Sequence, residues 1–471
     1  MSEAATALYP PTVTPPAAPL GIFAFLARCT DNPLATIPAF AYTDLVTAIE
    51  PIKGYKVLWV CDPEWIERIL VRDWEQYAKT ELERRIFAPV VGDGVLSANG
   101  SNWRWQRRAL APLFRHGEIA RYVPDMIAAA GHCIDGWRAA GGGSVRPIDA
   151  DMMSVTFDVI VRTMLFGGAP GDVRAVMQSG SAYLEATPWE IGYGILGLPA
   201  WLPHPAKWRL ARSARAMRRA VGAIIDDRRR RIDDARSNGA PDGAGSDDSG
   251  DLLGRLLAAR DPETDAPLTQ DQLVDNLATL LEAGHETTAK ALTWSLYLLA
   301  RAPEWQARVR DEVAAVVGPG RMTAGHVEQL AVTERVIKEA MRLYPPAPML
   351  SRTPLAPVTI AGHHVAPGQQ VLMPVFAIHR HRRLWSDPDR FDPDRFLPER
   401  ERDVSRTQYL PFGAGPRICL GASFALVEAK ALLASFVRAA SFEWDGRHLP
   451  EPQSRITLHP KGGMPLKVTV L

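Results

Sequence analysis

Apolar positions recur along this chain with two different periods. The segment KVLWVCDPEWIERILV reads as a short strand running into a helix, with Asp62 as the cap and Pro63 in the first turn. From Ser101 onward the period is helical: apolar residues return at three- and four-residue spacing through 152–166, 206–234, 269–300, 303–317 and 328–343. Between Asp271 and Leu299 the chain has Gly284 as its one glycine and no proline, so it reads as one long helix, apolar nearly all round, that belongs in the middle of a domain. Another helix is expected over 422–439. Beyond Pro345 the texture changes to β-branched pieces, PVTIAG and QQVLMPV, and then to a proline-rich, aromatic, nonperiodic run from His379 to Pro411. A loop that long inside a compact domain is usually functional. The predicted fold class is predominantly α with a smaller β region.

Two segments fall outside these periods. SNGAPDGAGSDDSGD, residues 237–251, cannot bury apolar area and is predicted to be a mobile surface loop. The start of the chain is broken by Pro10, Pro11, Pro15, Pro16 and Pro19, so residues 1–30 are expected to form an extended, proline-stiffened arm and residues 31–471 a single domain. Its longest clean apolar run, from Gly21 to Ala27, is far short of the roughly 20 residues a membrane span requires, so no transmembrane anchor is expected.

Composition narrows the function classes. The chain has 471 residues, 46% of them hydrophobic, enough for a large core. Its 54 Lys+Arg balance 53 Asp+Glu, so no global field favours nucleic acid. The run from Arg228 to Arg231 is flanked by Asp226, Asp227, Asp233 and Asp234 and reads as a salt-bridged helix face. Cys29, Cys61, Cys133 and Cys419 lie far apart with no CxxC pair and no zinc spacing, a usage that suits a reducing, cytoplasmic setting.

Cys419 stands apart from the other three. It lies in FGAGPRICLG, where Gly413 and Gly415 permit a sharp turn and Gly421 removes a side chain where a flat cofactor could lie. The following helix would put the sulfur near its N-terminus, where free N–H groups favour a thiolate. The stretch resembles the haem-thiolate loop of the cytochrome P450 family, matching at Phe412, Gly413, Gly415, Arg417, Cys419 and Gly421. That resemblance implies haem b (iron protoporphyrin IX) with Cys419 as the axial ligand of the iron, Phe412 packed on the cysteine and Arg417 on a propionate. KEAMRLYPP and FDPDRF resemble the segments in which Glu339, Arg342 and Arg395 form a structural network bracing the cysteine loop. NWRWQRR places Trp103 and Arg107 one helical turn apart, matching the family's WxxxR element, and Arg352 is the expected contact of the second propionate.

On the central helix, EAGHETTAK resembles the family's dioxygen-activating segment at Ala283, Gly284, Glu286, Thr287 and Thr288. Gly284 makes room for dioxygen and a threonine that back-bonds to a carbonyl bends the helix. Thr287 is implied as the hydrogen-bond donor and Glu286 as the proton relay, the pair that performs the catalytic proton work. His285 is expected to serve packing. The resemblance further implies the helical P450 fold, a soluble bacterial enzyme, and insertion of one oxygen atom from dioxygen into an apolar substrate. Electrons would come from a separate ferredoxin or flavoprotein, with Arg104, Arg107 and Arg108 offering a basic surface. Family position puts the pocket wall in the loop after Glu83 with Ile86 and Phe87, and in Leu280, Ala283, Met349, Leu350 and Met464. The apolar stretch PWEIGYGILGLPAWLP, residues 188–203, is expected to be a mobile lid loop. The alternatives are a peroxide-driven haem-thiolate oxidase, which would have no use for Glu286 and Thr287, and a non-catalytic haem sensor.

Overall fold

The computed structural model describes residues 7–18, 20–52, 55–165, 170–237, 251–260 and 264–471. Helix α1 (Ile22–Asp31) precedes the antiparallel pair β1 (Val46–Ile52) and β2 (Tyr55–Val60) and helix α2 (Pro63–Glu67). The Asp62 side chain accepts a hydrogen bond from the Glu64 amide at 2.9 Å, a cap worth about 1 kcal/mol. Strand β3 (Tyr77–Ala78) leads into α3 (Glu81–Val91), α4 (Gly100–Leu110), α5 (His116–Ala139), β4 (Ser144–Pro147) and α6 (Ile148–Leu165). Then come α7 (Pro170–Ala186), α8 (Pro188–Ile195), α9 (Lys207–Ser237), α10 (Leu252–Ala258), α11 (Gln270–Arg301), α12 (Pro303–Val317), α13 (Ala324–Glu328) and α14 (Ala331–Leu343). The C-terminal part holds β5 (Leu350–Pro354), β6 (Val358–Ile360), β7 (His363–Val365), β8 (Gln370–Met373), α15 (Val375–Ile378), α16 (Pro398–Glu401) and α17 (Ala422–Ala439). It closes with β9 (Ala440–Glu443), β10 (Glu451–Ser454), β11 (Leu458–Lys461) and β12 (Pro465–Val470).

The main sheet has the order β1-β2-β8-β5-β3, with β2 and β8 parallel and the other pairs antiparallel. Its register sets Leu350 opposite Met373 and Arg352 opposite Val371, so two side chains of β5 at alternate positions share one face. A second sheet runs β4-β12-β9, and β6-β7 and β10-β11 are separate pairs.

Helix α11 passes through the molecule and ties two apolar clusters together. Residues Ala289 to Ala300 belong to one, with α5, α14, α17 and the main sheet; Leu273 to Leu281 belong to the other, with α6, α7, α9 and α10. The Trp294 indole stacks on Tyr344 at 3.7 Å. The polar insert 282–288 falls between the two clusters, where the functional cavity lies.

Several expectations need correction. The arm over 1–30 is not extended throughout: residues 22–31 coil into α1, because Leu26 and Cys29 pack on Gly192 of α8, where a side chain at Gly192 would stand 3.2 Å from Leu26. Residues 188–203 are not a plain loop, since the first half is α8. The segment after Glu83 is helical, with Thr80 capping α3. The helix expected over 328–343 is two helices broken at Gln329 and Leu330. The predicted mobile loop lies almost wholly outside the described residues.

The N-terminal segment is buttoned across the far end of the chain. Phe391 donates its amide to Leu8 O at 2.9 Å, Tyr344 Oη donates to Pro11 O at 2.7 Å, and Tyr9 Oη donates to Asp387 Oδ2 at 2.9 Å.

Candidate functional site

Three successive carbonyls in the polar insert of α11 accept side-chain hydroxyls. Thr287 Oγ1 donates to Ala283 O at 2.8 Å, Thr288 Oγ1 to Gly284 O at 3.4 Å, and Thr156 Oγ1 of α6 to His285 O at 2.9 Å. Such bonds compete with the helix ladder and loosen it locally. Gly284 meets Ile160 of α6, whose Cδ1 would stand 2.5 Å from an added Cβ. His285 packs inward, 2% exposed, with Nδ1 on Leu281 O at 2.7 Å and Phe157 edge-on to its ring. The Glu286 carboxylate accepts from Thr457 Oγ1 at 2.8 Å.

The cysteine loop closes on itself through a bond from the Cys419 amide to Phe412 O at 2.9 Å, placing Phe412 beside the thiol. Gly415 is obligatory there: its φ is +72° and an added Cβ would lie 1.9 Å from Leu70 O. Cys419 is enclosed by protein but exposed to an internal cavity of about 460 Å³. Burial pushes its thiol pKa up, and the Gly421 amide and Arg107 only oppose that rise. A metal cation at the sulfur would supply the charge that offsets this burial and holds the thiolate.

Ile86, Phe87, Trp103, Arg107, Leu280, Ala283, Gly284, Thr287, Met349, Leu350, Arg352, Phe412, Arg417, Cys419 and Gly421 all line this cavity. Glu286 and Met464 do not. Met464, expected in the pocket wall, is 1% exposed inside the large apolar cluster. Ile456, in the β10-β11 turn, does line the cavity.

Glu339, Arg342 and Arg395 meet below the cavity. Glu339 and Arg342 are fully buried, with Arg342 Nε and Nη2 donating to Glu339 at 2.7 and 2.8 Å. The remaining Arg342 donors reach the carbonyls of His379, Pro388 and Arg390 at 2.8, 2.7 and 3.0 Å. Arg395 Nε stands 3.4 Å from Glu339 Oε1 while its other nitrogens hold Ser386 O and Asp387 O. His379, which the sequence did not single out, carries the network to the cysteine loop: Leu410 N donates to its Nε2 at 2.8 Å, so Nδ1 holds the hydrogen that faces Arg342 O at 3.2 Å. Burial, then Arg342 and Arg380, push the imidazole pKa down to about 3, keeping it neutral.

The family model for Cytochrome P450 matches residues 50–466. This chain belongs to the cytochrome P450 family. Cyclooctatin synthase of Streptomyces melanosporofaciens is 33% identical over 95% of this chain and 94% of its own length. Cyclooctat-9-en-7-ol 5-monooxygenase of the same organism is 30% identical, covering 85% and 83%. A cytokinin hydroxylase of Arabidopsis thaliana is 30% identical over 87% of this chain and 78% of its own. The crystal structure of the cytochrome P450DA heme domain superposes with a TM-score of 0.78 at 26% identity, covering 98% of this chain and 97% of that one.

P450 proteins bind haem b through a cysteine thiolate, and the residues here fit that group. Lys79, Arg107, Arg352, Arg417 and Arg455 line a mostly apolar cavity in which Glu83 is the one lining carboxylate among the described residues. Lys79 pairs with it at 2.8 Å and Arg352 at 3.8 Å. Arg417 lies over Trp103 and donates to Ala98 O and Asn99 Oδ1 at 2.9 and 3.1 Å. Burial lowers the pKa of Lys79, Arg107, Arg352 and Arg417, the last to about 10, and the one carboxylate among them, Glu83, is shared by Lys79 and Arg352. Two propionates would satisfy them. The basic surface expected for a redox partner is smaller than its sequence suggests, because Arg107 turns into the P450 cavity and Arg104 pairs with Glu75. Lys79 and Ile456 escaped the sequence reading; Lys79 sits just before the Thr80 cap, and Ile456 is a lone apolar residue in a polar turn.

Proposed function

We propose that this P450 is a haem-thiolate monooxygenase that inserts one oxygen atom of dioxygen into an apolar organic substrate, drawing electrons from a separate ferredoxin or flavoprotein. The observation that carries it is the single cavity onto which Cys419 and the Ala283–Gly284–Thr287 segment both open. Haem b, when bound, supplies the iron chemistry that activates dioxygen. Cys419 would ligate the iron, and Trp103, Arg107, Arg352 and Arg417, with Lys79, would hold the propionates. Thr287, its hydroxyl already directed by Ala283 O, offers a proton on the oxygen side, and Glu286, steadied by Thr457, resupplies it.

The substrate side is apolar: Ile86, Phe87, Ile191, Ile195, Leu280 and Ile456 face it. That wall and the relative acting on cyclooctat-9-en-7-ol favour a cyclic hydrocarbon skeleton with few polar groups. Retention of both Glu286 and Thr287 speaks for dioxygen over a peroxide-driven reaction. Four free, scattered cysteines suit a reducing cytoplasm.

Titrating the ferric protein with cyclic terpenoids while following the Soret band tests the pocket: a low-spin to high-spin change is expected, and no response to any apolar ligand counts against it. With a competent electron donor, Thr287→Ala should lose coupled product by about tenfold or more and release peroxide instead. Unchanged coupling would move the reading to peroxide-driven oxidation. Cys419→Ala should lose the thiolate spectrum altogether.

A further inference from the structure

Arg455 stands at the tip of the β10-β11 hairpin between Ser454 and Ile456, and all three residues line the cavity. Its backbone is fixed on both sides. The Arg455 amide donates to Thr457 O at 3.1 Å, and its carbonyl accepts from Thr187 Oγ1, just ahead of α8, at 3.5 Å. The hairpin itself is fastened to the end of α1, where Asn32 Nδ2 donates to Pro452 O at 2.9 Å and Asn32 Oδ1 accepts from the Ser454 amide at 3.1 Å. Arg455 therefore belongs to a rim built from α1, α8 and the hairpin, from which Phe25, Ile191, Ile195 and Ile456 also face the cavity.

The guanidinium is only partly engaged there. Nη1 donates to Thr30 O at 3.3 Å, while Nε and Nη2 have no protein partner and no carboxylate stands within ion-pair distance among the described residues. The acids on the elements it touches, Asp31 and Glu451, are turned to Lys461 at 2.9 and 3.9 Å. The propionate cradle is a separate setting: the charges that act on Lys79, Arg107, Arg352 and Arg417 are one another's and those of Glu83 and Cys419, whereas the charge of Arg455 reaches His459 on β11. Arg455 is thus the charged lining residue that neither Glu83 nor the cradle accounts for. A guanidinium presents its donors in a planar fork that matches a carboxylate, and in an apolar, water-poor cavity such a pair is stronger than at a surface.

We propose that Arg455 selects substrates whose apolar skeleton carries a carboxylate: the open edge of its guanidinium binds the acid at the rim while the skeleton lies along the apolar wall. Anchoring one end in this way fixes which carbons reach the Ala283–Gly284–Thr287 segment. The inference rests on the monooxygenase reading of this cavity and narrows its substrate class to amphipathic organic acids.

A matched set of a cyclic terpenoid carboxylic acid, its methyl ester and its alcohol separates charge from shape. In calorimetric titrations of the haem-loaded protein near pH 8 and at low salt, the acid should bind about tenfold or more tighter than the ester or the alcohol, the ratio expected of a hydrogen bond to a charged group. Added salt should narrow that margin. Arg455→Gln should bring the acid to the level of its ester, and Arg455→Lys, which keeps the charge and loses the fork, should retain part of the preference. Equal binding of acid and ester by the native protein, an acid preference undiminished in Arg455→Gln, or failure of all three compounds to bind overturns the proposal. The ligand set tests the native protein alone, so the comparison holds even where a variant fails to fold. The two readings fail differently. An acid that binds through Arg455 but gives no oxygenated product with a competent electron donor removes the monooxygenase reading and leaves the carboxylate site, whereas acid and ester bound equally and both oxygenated remove the site and leave the enzyme.

Discussion

Glu282, one helical turn ahead of Glu286, is a strongly perturbed acid beside the oxygen-side segment. Its Oε2 is buried without a partner against Gly180 of α7, where a side chain would come within 2.3 Å. Burial, with the Glu286 charge adding to it, pushes its pKa up to about 8. In the unfolded chain the same group titrates near about 4.3. Between these values the folded protein holds a proton that the unfolded chain has released, so stability declines as pH rises and levels off above the folded pKa. Glu282→Gln removes that slope: its urea midpoint should match the native protein near pH 5 and exceed it at pH 9. Parallel curves for the two proteins would mean that Glu282 ionises freely.

Elements whose ends are stopped by their own sequence were legible, and those stopped by a distant residue were not. Asp62 and Pro63 announce α2, and Pro303 and Gly318 bracket α12 as expected. The start of α14 is capped from another helix, the Val332 and Thr333 amides donating to Glu312 of α12 at 2.5 and 2.9 Å, and no local pattern could reveal that break. Helix α8 reads as a loop because Gly192 and Gly194 are poor helix formers; tertiary contact overrides propensity, since each glycine admits a neighbour, Leu26 and Leu82 respectively. For the site, the residues within short motifs were readable, while His379 takes its meaning from Leu410 and Arg342, 31 and 37 positions away in sequence. Helices α3 and α8 are joined over the cavity by Arg85, whose Nε and Nη2 donate to Glu190 at 3.0 and 2.7 Å and whose Nη1 donates to Leu198 O at 2.6 Å, with His204 on the other Glu190 oxygen at 2.8 Å. Breaking such a buried pair costs about 3–5 kcal/mol. Glu190→Gln should therefore speed hydrogen exchange of the α8 amides and ligand association, leaving the amides of α11 protected; unchanged exchange in α8 would show that the apolar contacts alone hold it.

At the scale of the whole molecule, Arg342 is the hub that joins α14 to the nonperiodic run before the cysteine loop. Glu339→Ala leaves its guanidinium buried without a counter-charge and should cost about 3–5 kcal/mol, read as a lower thermal midpoint and faster haem loss. Arg342→Lys should not rescue the fold, because one ammonium cannot reach Glu339 and the carbonyls of His379, Pro388 and Arg390 together. The same run is pinned from outside by the first residues of the chain, with Tyr9 and Asp387 separated by 378 positions. During translation at roughly 5–20 residues per second, that separation corresponds to a wait on the order of 20–80 s. That segment is thus made long before the residues it docks on, and a nascent chain must carry it unpaired until they have left the ribosome.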